Sequence, residues 1–590
     1  MTSPATCQPT FRNVCSSTIV FGPAEFAYRF CGWRFSPAAV ERNAQSSGIL
    51  TIEVGNVSRW RVPAIVAAAA VVLAVGTTAA PVLSQSQEVS FTYIEQQIIT
   101  SIDPQAAVDE SSLHSAINLY DPLVYPNVEQ GTMSPRPHVA ESWTVAPDGK
   151  RYTFKIRHGI KFHSGRELTA EDVAWSMDRQ LQIKKGFFWI FSPVLDPGST
   201  KVIDRYTVRF DLKDSYAPFL SGLELFFIMD KDLITANLKP GPFGDLGDYG
   251  AALLETKDAG SGPYRMERWE RATEMVLTAF PDYWRGWKPG QITKVSYKIV
   301  LEEATVKTLL RSKEADMVNQ WLSPPSFAEL KQSPGIVVKE DPSVQLFHLE
   351  MNTKKPPLNN VKVRQALAYA FDYDKAIQQI FIGATKAKGP VPVRVPGWNP
   401  QVPVYGHNVT KAKQLLAEAG YKPGDLTLEY VWVSSVPLER LIGLLLQSNL
   451  QEIGVKLDIT GELWPHVLER ATKAETTPHI TAIFDTLKYP HIDSHTYGMY
   501  HPSCWGTFRC MSFYENAAAT QVLEKARRAA DPKEQMKLYE EAQVMIARDV
   551  PSIYVANPLH RIAFRDNVKG YRFVGLVGFD VAFYDFTIVR

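Results

Sequence analysis

The chain has 590 residues, with 63 lysines and arginines against 62 aspartates and glutamates and a formal net charge of +1. This length suffices for several domains of about 100–200 residues each. The balanced charge excludes nucleic acid and an anionic membrane surface as expected main partners. The 13 Trp, 24 Tyr and 29 Phe suit a pocket that grips an organic ligand as well as an aromatic core.

The N-terminal part of the chain contains a segment typical of export. Arg59 and Arg61 precede an Ala/Val-rich apolar run at residues 62–75. Residues 59–84 are therefore predicted to be a cleavable signal peptide. The alternative is an uncleaved anchor, although the run is shorter than the about 20 apolar residues of a membrane span. No cysteine follows the run, so a periplasmic product without a lipid anchor is expected. Residues 1–58 precede this signal and are interpreted as a non-native or disordered extension.

Residues 140–172 show the most regular pattern in the chain. Two alternating apolar and polar runs flank an Asp-Gly turn at residues 148–149 and predict a β-hairpin. A short strand is predicted at residues 160–162. Thr169 precedes two acidic residues and predicts the N-cap of a helix. Nothing in this segment indicates catalytic chemistry.

Strands and helices alternate through much of the remaining chain. Strand–helix–strand units at residues 295–318 and 426–459 favour parallel pairing in α/β sheets. A long loop rich in aromatic residues and histidine is predicted at residues 485–514, followed by helices and by C-terminal strands.

The chain is similar to the family 5 extracellular solute-binding proteins of ABC importers. The similarity rests on Ala-Glu-Ser-Trp at residues 140–143, Leu-Thr-Ala-Glu-Asp-Val at 168–173, Gly-Ser-Gly-Pro-Tyr at 260–264 and Val-Arg-Gln-Ala at 363–366. The resemblance covers about residues 88–590. It implies an α/β two-lobed periplasmic binding protein fold, type II, from the cluster with an extra small domain, with mixed sheets and flanking helices.

The resemblance also implies a discontinuous domain layout. Lobe I is expected at residues 88–131, 260–345 and 549–590, the accessory domain at 132–259, and lobe II at 346–548. Chain crossings near residues 346–352 and 551–556 would form the hinge between the lobes.

Nine residues are predicted to contact the ligand. Trp321 and Trp432 lie at or after strand ends, where open α/β lobes bind ligands. The loop from Phe484 to Trp505 is expected to form a wall of the ligand site because of the family resemblance. Aromatic faces with amide groups suit a pocket for an organic solute, although ordinary core packing is the alternative for each tryptophan. The predicted residues are Gln97, Gln320, Trp321, Trp432, Phe484, Asp485, Lys488, Tyr489 and Trp505.

Lys488 departs from the family pattern. In peptide-binding members, an aspartate in this region pairs with the α-amino group of the ligand, and the best alignment puts Lys488 at that position. A lysine there repels a free ammonium, whereas Asp485, three residues earlier, is a possible replacement. The departure puts ordinary peptide binding in doubt and leaves acidic or neutral ligands open; the alternative is a shifted local alignment.

The sequence carries no G-x-S-x-G, Walker, Cys-x-x-Cys or His-Glu-x-x-His motif, and neither an enzyme nor a cofactor is predicted. His491, Asp493 and His495 form the best metal-like cluster, but they are interpreted as part of a solvated loop and no metal is predicted. Cys504 and Cys510 either close a small disulfide loop in an oxidising compartment or remain free thiols.

The sequence therefore predicts a monomeric periplasmic substrate-binding component of an ABC transporter. It would capture a peptide-like or other polar organic solute by lobe closure and deliver it to the inner-membrane permease. The alternatives are a metal or haem carrier and a hydrolase that uses the same cleft.

Overall fold

Mixed β-sheets form the framework of both lobes in the computed structural model, which describes residues 88–127 and 135–589. The predicted extension at residues 1–58 and the predicted signal peptide at residues 59–84 lie outside the described residues and stay predictions. Within the described ranges, we find no helix with both the length and the apolar character required to cross a bilayer.

The first sheet is organised around the buried strand Ser90–Glu95, which pairs in parallel with neighbours on both sides. Tyr93 and Ile94 are fully buried, as expected for a central strand covered on both faces. Across the sheet the strands run in the order Ile336–Pro342, Leu559–Arg565, Met317–Val318, Ser90–Glu95, Lys294–Ile299, Glu274–Ala279 and Tyr264–Glu270.

The second sheet also mixes parallel and antiparallel pairs. Its strands run in the order Thr385–Lys386, Ser552–Asn557, Leu346–Met351, Ile480–Asp485, Leu426–Val433 and Val455–Glu462. The α/β class with mixed sheets and flanking helices is therefore confirmed. Ser552–Asn557 belongs to this second sheet, whereas the sequence layout counted residues 549–590 with lobe I; the domain boundaries stay a prediction.

The chain passes between the two sheets at residues 343–345 and again at Pro558. The Ser343 hydroxyl donates a hydrogen bond to the Pro558 carbonyl, so the two crossings lie side by side. The hinge expected near residues 346–352 and 551–556 stays a prediction; most of these residues lie in two buried strands of the second sheet, Leu346–Met351 and Ser552–Asn557. The crossings directly flank these strands.

A separate antiparallel sheet contains the hairpin predicted within residues 140–172. Its strands run in the order Ala140–Val145, Arg151–Ile156, Thr207–Asp211 and Thr200–Asp204. The predicted hairpin is confirmed, and so is the helix start, because Thr169 and Asp172 form a capping box at the first turn of Ala170–Ile183. The short strand predicted at residues 160–162 is wrong: an isolated bridge between Lys161 and Glu167 replaces it.

Helices cover the sheets and carry the remaining core. The longer ones are Glu110–Leu119, Ala170–Ile183, Glu303–Ser312, Pro324–Lys331, Val361–Ala370, Val409–Glu418, Pro437–Glu452, Trp464–Arg470, Ala517–Arg528 and Pro532–Asp549. Shorter ones are Phe188–Phe191, Phe219–Gly222, Lys231–Thr235, Tyr373–Lys375 and Tyr497–Tyr500.

Two glycines of the Gly-Ser-Gly-Pro-Tyr motif at residues 260–264 allow its backbone to approach the backbone of Leu119 closely. A Cβ atom at Gly260 or Gly262 would clash with the backbone of Leu119, and the Gly262 N–H donates to the Leu119 carbonyl at 3.0 Å. Only glycine fits at such a contact. The motif at residues 260–264 therefore has a packing role, fixing the chain beside the helix Glu110–Leu119.

Candidate ligand-binding site

A small cavity of about 30 Å³ lies between residues of the two lobes. Ligand pockets commonly measure about 300–1,000 Å³, so the lobes have to move apart before a small solute can occupy this position. The first lobe contributes Gln97, Glu110 and Trp321. The second lobe contributes Val433, Glu439, Trp464, Ile483, Phe484, Thr486, Lys488 and Phe508.

The ends of parallel strands position many of these side chains. In the first lobe, Gln97 follows the strand Ser90–Glu95 and Trp321 follows its parallel neighbour Met317–Val318. In the second lobe, Leu426–Val433 pairs in parallel with Ile480–Asp485. Because the carboxyl ends of parallel strands meet at one edge of a sheet, each lobe presents such an edge to the cavity.

An aromatic contact joins the two lobes across the cavity. The rings of Trp321 and Phe484 meet edge to face, with centroids 5.2 Å apart. Within the second lobe, Trp464 meets Phe508 in the same way at 5.2 Å. Trp321 is 6% exposed and packs in one cluster with Val433 of the second lobe. The structure therefore shows the lobes in contact at Trp321, with the small cavity beside that contact.

Two hydrogen-bond donors in the cavity wall lack acceptors. The indole N–H groups of Trp321 and Trp464 are buried, and neither has a hydrogen-bond partner among the described residues. Buried tryptophan N–H groups normally find an acceptor, because leaving one unpaired costs the free energy of its desolvation. Both donors can therefore serve an oxygen atom of a ligand in this cavity.

Lys488 places a buried cation in the cavity wall. Its Nζ lies 3.7 Å from Asp485 Oδ1 and 5.4 Å from the centre of the Phe508 ring. Burial lowers the pKa of Lys488 to about 8, although the charge of Asp485 opposes that shift. At neutral pH the ammonium is thus still charged but poorly solvated, which favours pairing with an anion.

Asp485, next to Lys488, is already paired with Arg509. Its two carboxylate oxygens accept hydrogen bonds from Arg509 Nε at 2.8 Å and Nη2 at 2.7 Å. Burial by itself would raise the pKa of Asp485, but the charges of Arg509 and Lys488 hold the pKa below its ordinary value. The carboxylate is therefore ionised and committed to protein groups.

Glu110 is likewise engaged within the first lobe. It accepts two hydrogen bonds from Gln320 Nε2, at 2.8 and 2.9 Å, and its Oε1 lies 3.6 Å from His114 Nε2. Burial alone would lower the pKa of His114, but its contacts with Glu110 and Glu95 raise the pKa to about 10. A charged imidazole therefore offsets the charge of Glu110.

Comparison with known proteins assigns this architecture to a family. The model of the bacterial extracellular solute-binding proteins, family 5, matches residues 134–507. The chain belongs to that family. The predicted two-lobed periplasmic binding protein fold is confirmed by the peptide-bound DppA of Helicobacter pylori, an ABC transporter-associated periplasmic binding protein, with a TM-score of 0.75, 27% identity and coverage of 85% of this chain and 98% of that one.

Curated relatives are similar over most of their length. The dipeptide-binding protein of Escherichia coli is 30% identical over 492 residues, which cover 78% of this chain and 87% of that protein. Heme-binding protein A of Haemophilus influenzae is 28% identical over 524 residues, covering 84% and 92%. The protein is thus a solute-binding component of an ABC transporter system, and these relatives give no support to the hydrolase alternative.

Four of the nine residues predicted to contact the ligand line the cavity: Gln97, Trp321, Phe484 and Lys488. Gln320 and Asp485 lie just behind the wall, bonded to Glu110 and Arg509 respectively. The ligand roles of all nine residues stay predictions.

Trp432, Tyr489 and Trp505 do not line this cavity. Trp432 packs against the second-lobe core and beside Gly461; successive strand residues face opposite sides, so its neighbour Val433 faces the cavity. Tyr489 is fully buried, and its hydroxyl donates to Asp493. Trp505 contacts Phe513 and Lys354, at 5.9 and 5.1 Å from the ring centre.

Sequence reasoning missed several cavity residues, notably Glu439 and Trp464. Both lie in the first turn of a helix that follows a second-lobe strand, Pro437–Glu452 and Trp464–Arg470. The rule that ligands bind beyond the carboxyl ends of strands would have pointed to these turns. When only strand residues are considered, the rule misses the first helical turns that follow the strands.

The interpretation of residues 491–495 as a solvated loop is wrong. Ile492–His495 is buried, because the Asp493 carboxylate accepts hydrogen bonds from Arg527, Tyr489 and Tyr539. Burial lowers the pKa of His495 to about 4. Across the described residues, no three His, Cys, Asp or Glu side chains are grouped so as to hold a metal ion.

Two further features concern the second lobe. Cys504 and Cys510 form a disulfide, with their Cα atoms 5.9 Å apart, so the disulfide alternative holds. A larger cavity of about 260 Å³ lies wholly within the second lobe, around Tyr373, Tyr405 and Tyr554. No first-lobe residue lines that cavity, so lobe closure does not shape it.

Proposed function

We propose that this protein captures a small polar organic solute bearing a carboxylate and delivers it to an inner-membrane ABC permease. The observation that carries the proposal is the donor set of the enclosed cavity: the Lys488 ammonium together with the unpaired indole N–H groups of Trp321 and Trp464. A carboxylate or amide oxygen would satisfy these donors.

The balance of charge around Lys488 favours an anionic group of the ligand. Asp485 is shared with Arg509, whose guanidinium lies closer to that carboxylate than the Lys488 ammonium does. Lys488 is only 2% exposed, so water compensates its charge poorly. A ligand carboxylate would supply the anion and displace little water from the ammonium.

Lobe closure would follow from contacts that the solute makes on both sides. Trp321 and Gln97 come from the first lobe, whereas Trp464 and Lys488 come from the second. At the chain crossings, Gln345 Nε2 donates to Gln320 Oε1 and to Thr486 Oγ1, both at 2.9 Å. A solute that touches both lobes binds the closed state more tightly and shifts the population toward it.

The relatives support a peptide-like solute. One is a dipeptide-binding protein, and the Helicobacter pylori structure holds the peptide STSA. We propose further that the protein acts as a monomer in the periplasm after removal of the signal peptide, and that it catalyses no reaction. Delivery then requires only release to the permease when the lobes open.

Calorimetry with di- and tripeptides, each as the free acid and as the C-terminal amide, tests the proposal. The free acids should bind about 10–100-fold more tightly, because a hydrogen bond to a charged partner contributes about 1.5–3 kcal/mol. Each amide serves as the matched control for its acid. Equal affinity for acids and amides, or no binding of any peptide, would contradict the proposal.

A further inference from the structure

We propose that the second lobe contains a separate binding site for a small monocarboxylate with an apolar body, such as a medium-chain fatty acid. The site is the cavity of about 260 Å³ around Tyr373, Tyr405 and Tyr554. A cavity of about 150 Å³ is enough for a benzene ring in a protein core, so this one has room for a longer apolar group. Because the site lies within one lobe, it is independent of the solute proposed to bind between the lobes.

The strand Ser552–Asn557 forms one wall of this cavity. Ser552 and Tyr554 are two residues apart on that strand, so their side chains face the same side of the sheet, and both line the cavity. The edge strand Thr385–Lys386 pairs with the same strand. The rest of the wall comes from residues 387–389 and 403–406. The edge of the second sheet thus fixes one side of the cavity.

Aromatic and aliphatic side chains make up much of the lining. Tyr373 and Tyr554 are buried, at 4% and 8% exposure, whereas Val404 is 61% exposed. An apolar ligand body in the cavity would remove part of the Val404 side chain and of the tyrosine rings from water, which is favourable. The lining therefore selects a ligand with an apolar body.

The buried end of the cavity carries no charge. Ser552 Oγ lies 3.1 Å from His348 Nδ1, and burial lowers the pKa of His348 to about 3, so the imidazole is neutral at neutral pH. Burial also raises the pKa of Tyr554 well above its ordinary value, so the hydroxyl keeps its proton. A charged ligand group would be costly at this end and is expected at the mouth.

Two lysines at the mouth supply the charge for an anionic group. Lys388 is exposed and Lys386 is partly exposed, and no aspartate or glutamate is among the described residues that line the cavity. Lys386 Nζ lies 2.9 Å from Asp374 Oδ1, whereas Lys388 forms no ion pair with an acid in the described part of the chain. A carboxylate would pair with the Lys388 ammonium without displacing a protein group, while its apolar body extends into the cavity.

Titration with octanoate, octanamide and acetate, followed by NMR of the ligand, tests this site. Octanoate should bind in a 1:1 ratio and about two- to fivefold more tightly than octanamide, because the ion pair at the mouth is exposed. Acetate keeps the carboxylate but lacks the apolar body, and it should bind at least about 100-fold more weakly than octanoate. A saturating dipeptide should leave the affinity for octanoate unchanged.

Substitutions then locate the site. Lys386→Met/Lys388→Met should bind octanoate and octanamide equally. Lys456→Met is the matched control and should keep the preference, because Lys456 is exposed on Val455–Glu462, at the opposite edge of the same sheet. Ala387 lines the cavity and is 6% exposed, so Ala387→Phe places its added ring in the cavity and should weaken the binding of both ligands at least about tenfold.

The outcomes are independent of peptide binding between the lobes. No binding of octanoate, equal affinity of wild type for octanoate and octanamide, or competition between octanoate and a dipeptide would overturn the inference. Loss of octanoate binding in K488M would also overturn it, because that substitution changes the cavity between the lobes. Circular dichroism identifies any variant that does not fold, and the wild-type titrations decide in that case.

Discussion

Replacing Arg509 by leucine should lower the free energy of unfolding by about 3–5 kcal/mol. Arg509 donates to both oxygens of Asp485, and its Nη2 also donates to the Ser494 carbonyl at 2.6 Å. Asp485 is fully buried, so the variant leaves a carboxylate without its main partner and without water. Urea unfolding, followed by circular dichroism, measures the change.

A surface pair provides the control for this effect. Arg528 lies 3.8 Å from Asp214, and their side chains are 61% and 51% exposed, so Arg528→Leu should change the free energy of unfolding by less than about 1 kcal/mol. In the double variant Asp485→Leu/Arg509→Leu, the loss should be smaller than the sum of the single losses. A cost below about 1 kcal/mol for Arg509→Leu would contradict the account of this pair.

Replacing Lys488 by methionine should weaken the binding of free-acid dipeptides by about 30-fold or more. Removing one partner of a buried, hydrogen-bonded charge pair typically costs about 2–5 kcal/mol. Methionine fills much of the same space, and calorimetry measures the affinity. Lys362→Met, at an exposed position paired with Glu418, is the matched control and should bind as wild type does.

The pH dependence of binding gives a second readout of the same substitution. The pKa of Lys488 is about 8 because the side chain is buried, so the ammonium is charged below that pH and loses its proton above it. Wild-type affinity for the free acids should then fall by up to about tenfold per pH unit above pH 8. K488M should lack this fall. Unchanged affinity in K488M would exclude Lys488 as a ligand group.

Charge reversal at the same position extends the test. Lys488→Asp would place a second carboxylate beside Asp485, and like charges at that distance repel a carboxylate ligand. The variant should therefore lose its preference for free acids over amides. If K488D keeps the wild-type preference for free acids over amides, the side chain at position 488 does not face the ligand.

Local patterns predicted the framework well. The hairpin Ala140–Val145 and Arg151–Ile156 and the capped helix at Thr169 depend on neighbouring residues, so alternation and turn chemistry sufficed. The strand-end rule also led to Trp321, since parallel strands bring their ends to one edge, whereas Lys488 was found through the resemblance to the family pattern. These features needed no knowledge of distant contacts.

The remaining features depend on contacts that sequence spacing does not reveal. The register of Leu426–Val433 turns Val433 and not Trp432 toward the cavity. The sequence predicts a solvated loop at residues 491–495 because the segment follows Pro490 and lacks the register of a regular helix. Arg527 and Tyr539, which bury Asp493, come from helices further along the chain. Whether a polar residue is solvated or paired in a core is decided by such distant partners.

Mass spectrometry of the small molecules released from the purified, denatured protein tests the central claim most directly. The account predicts a peptide-like organic solute with a carboxylate, in near-equimolar amount from wild type and depleted from K488M. Recovery of only metal or haem, or of the same solute in the same amount from K488M, would contradict it.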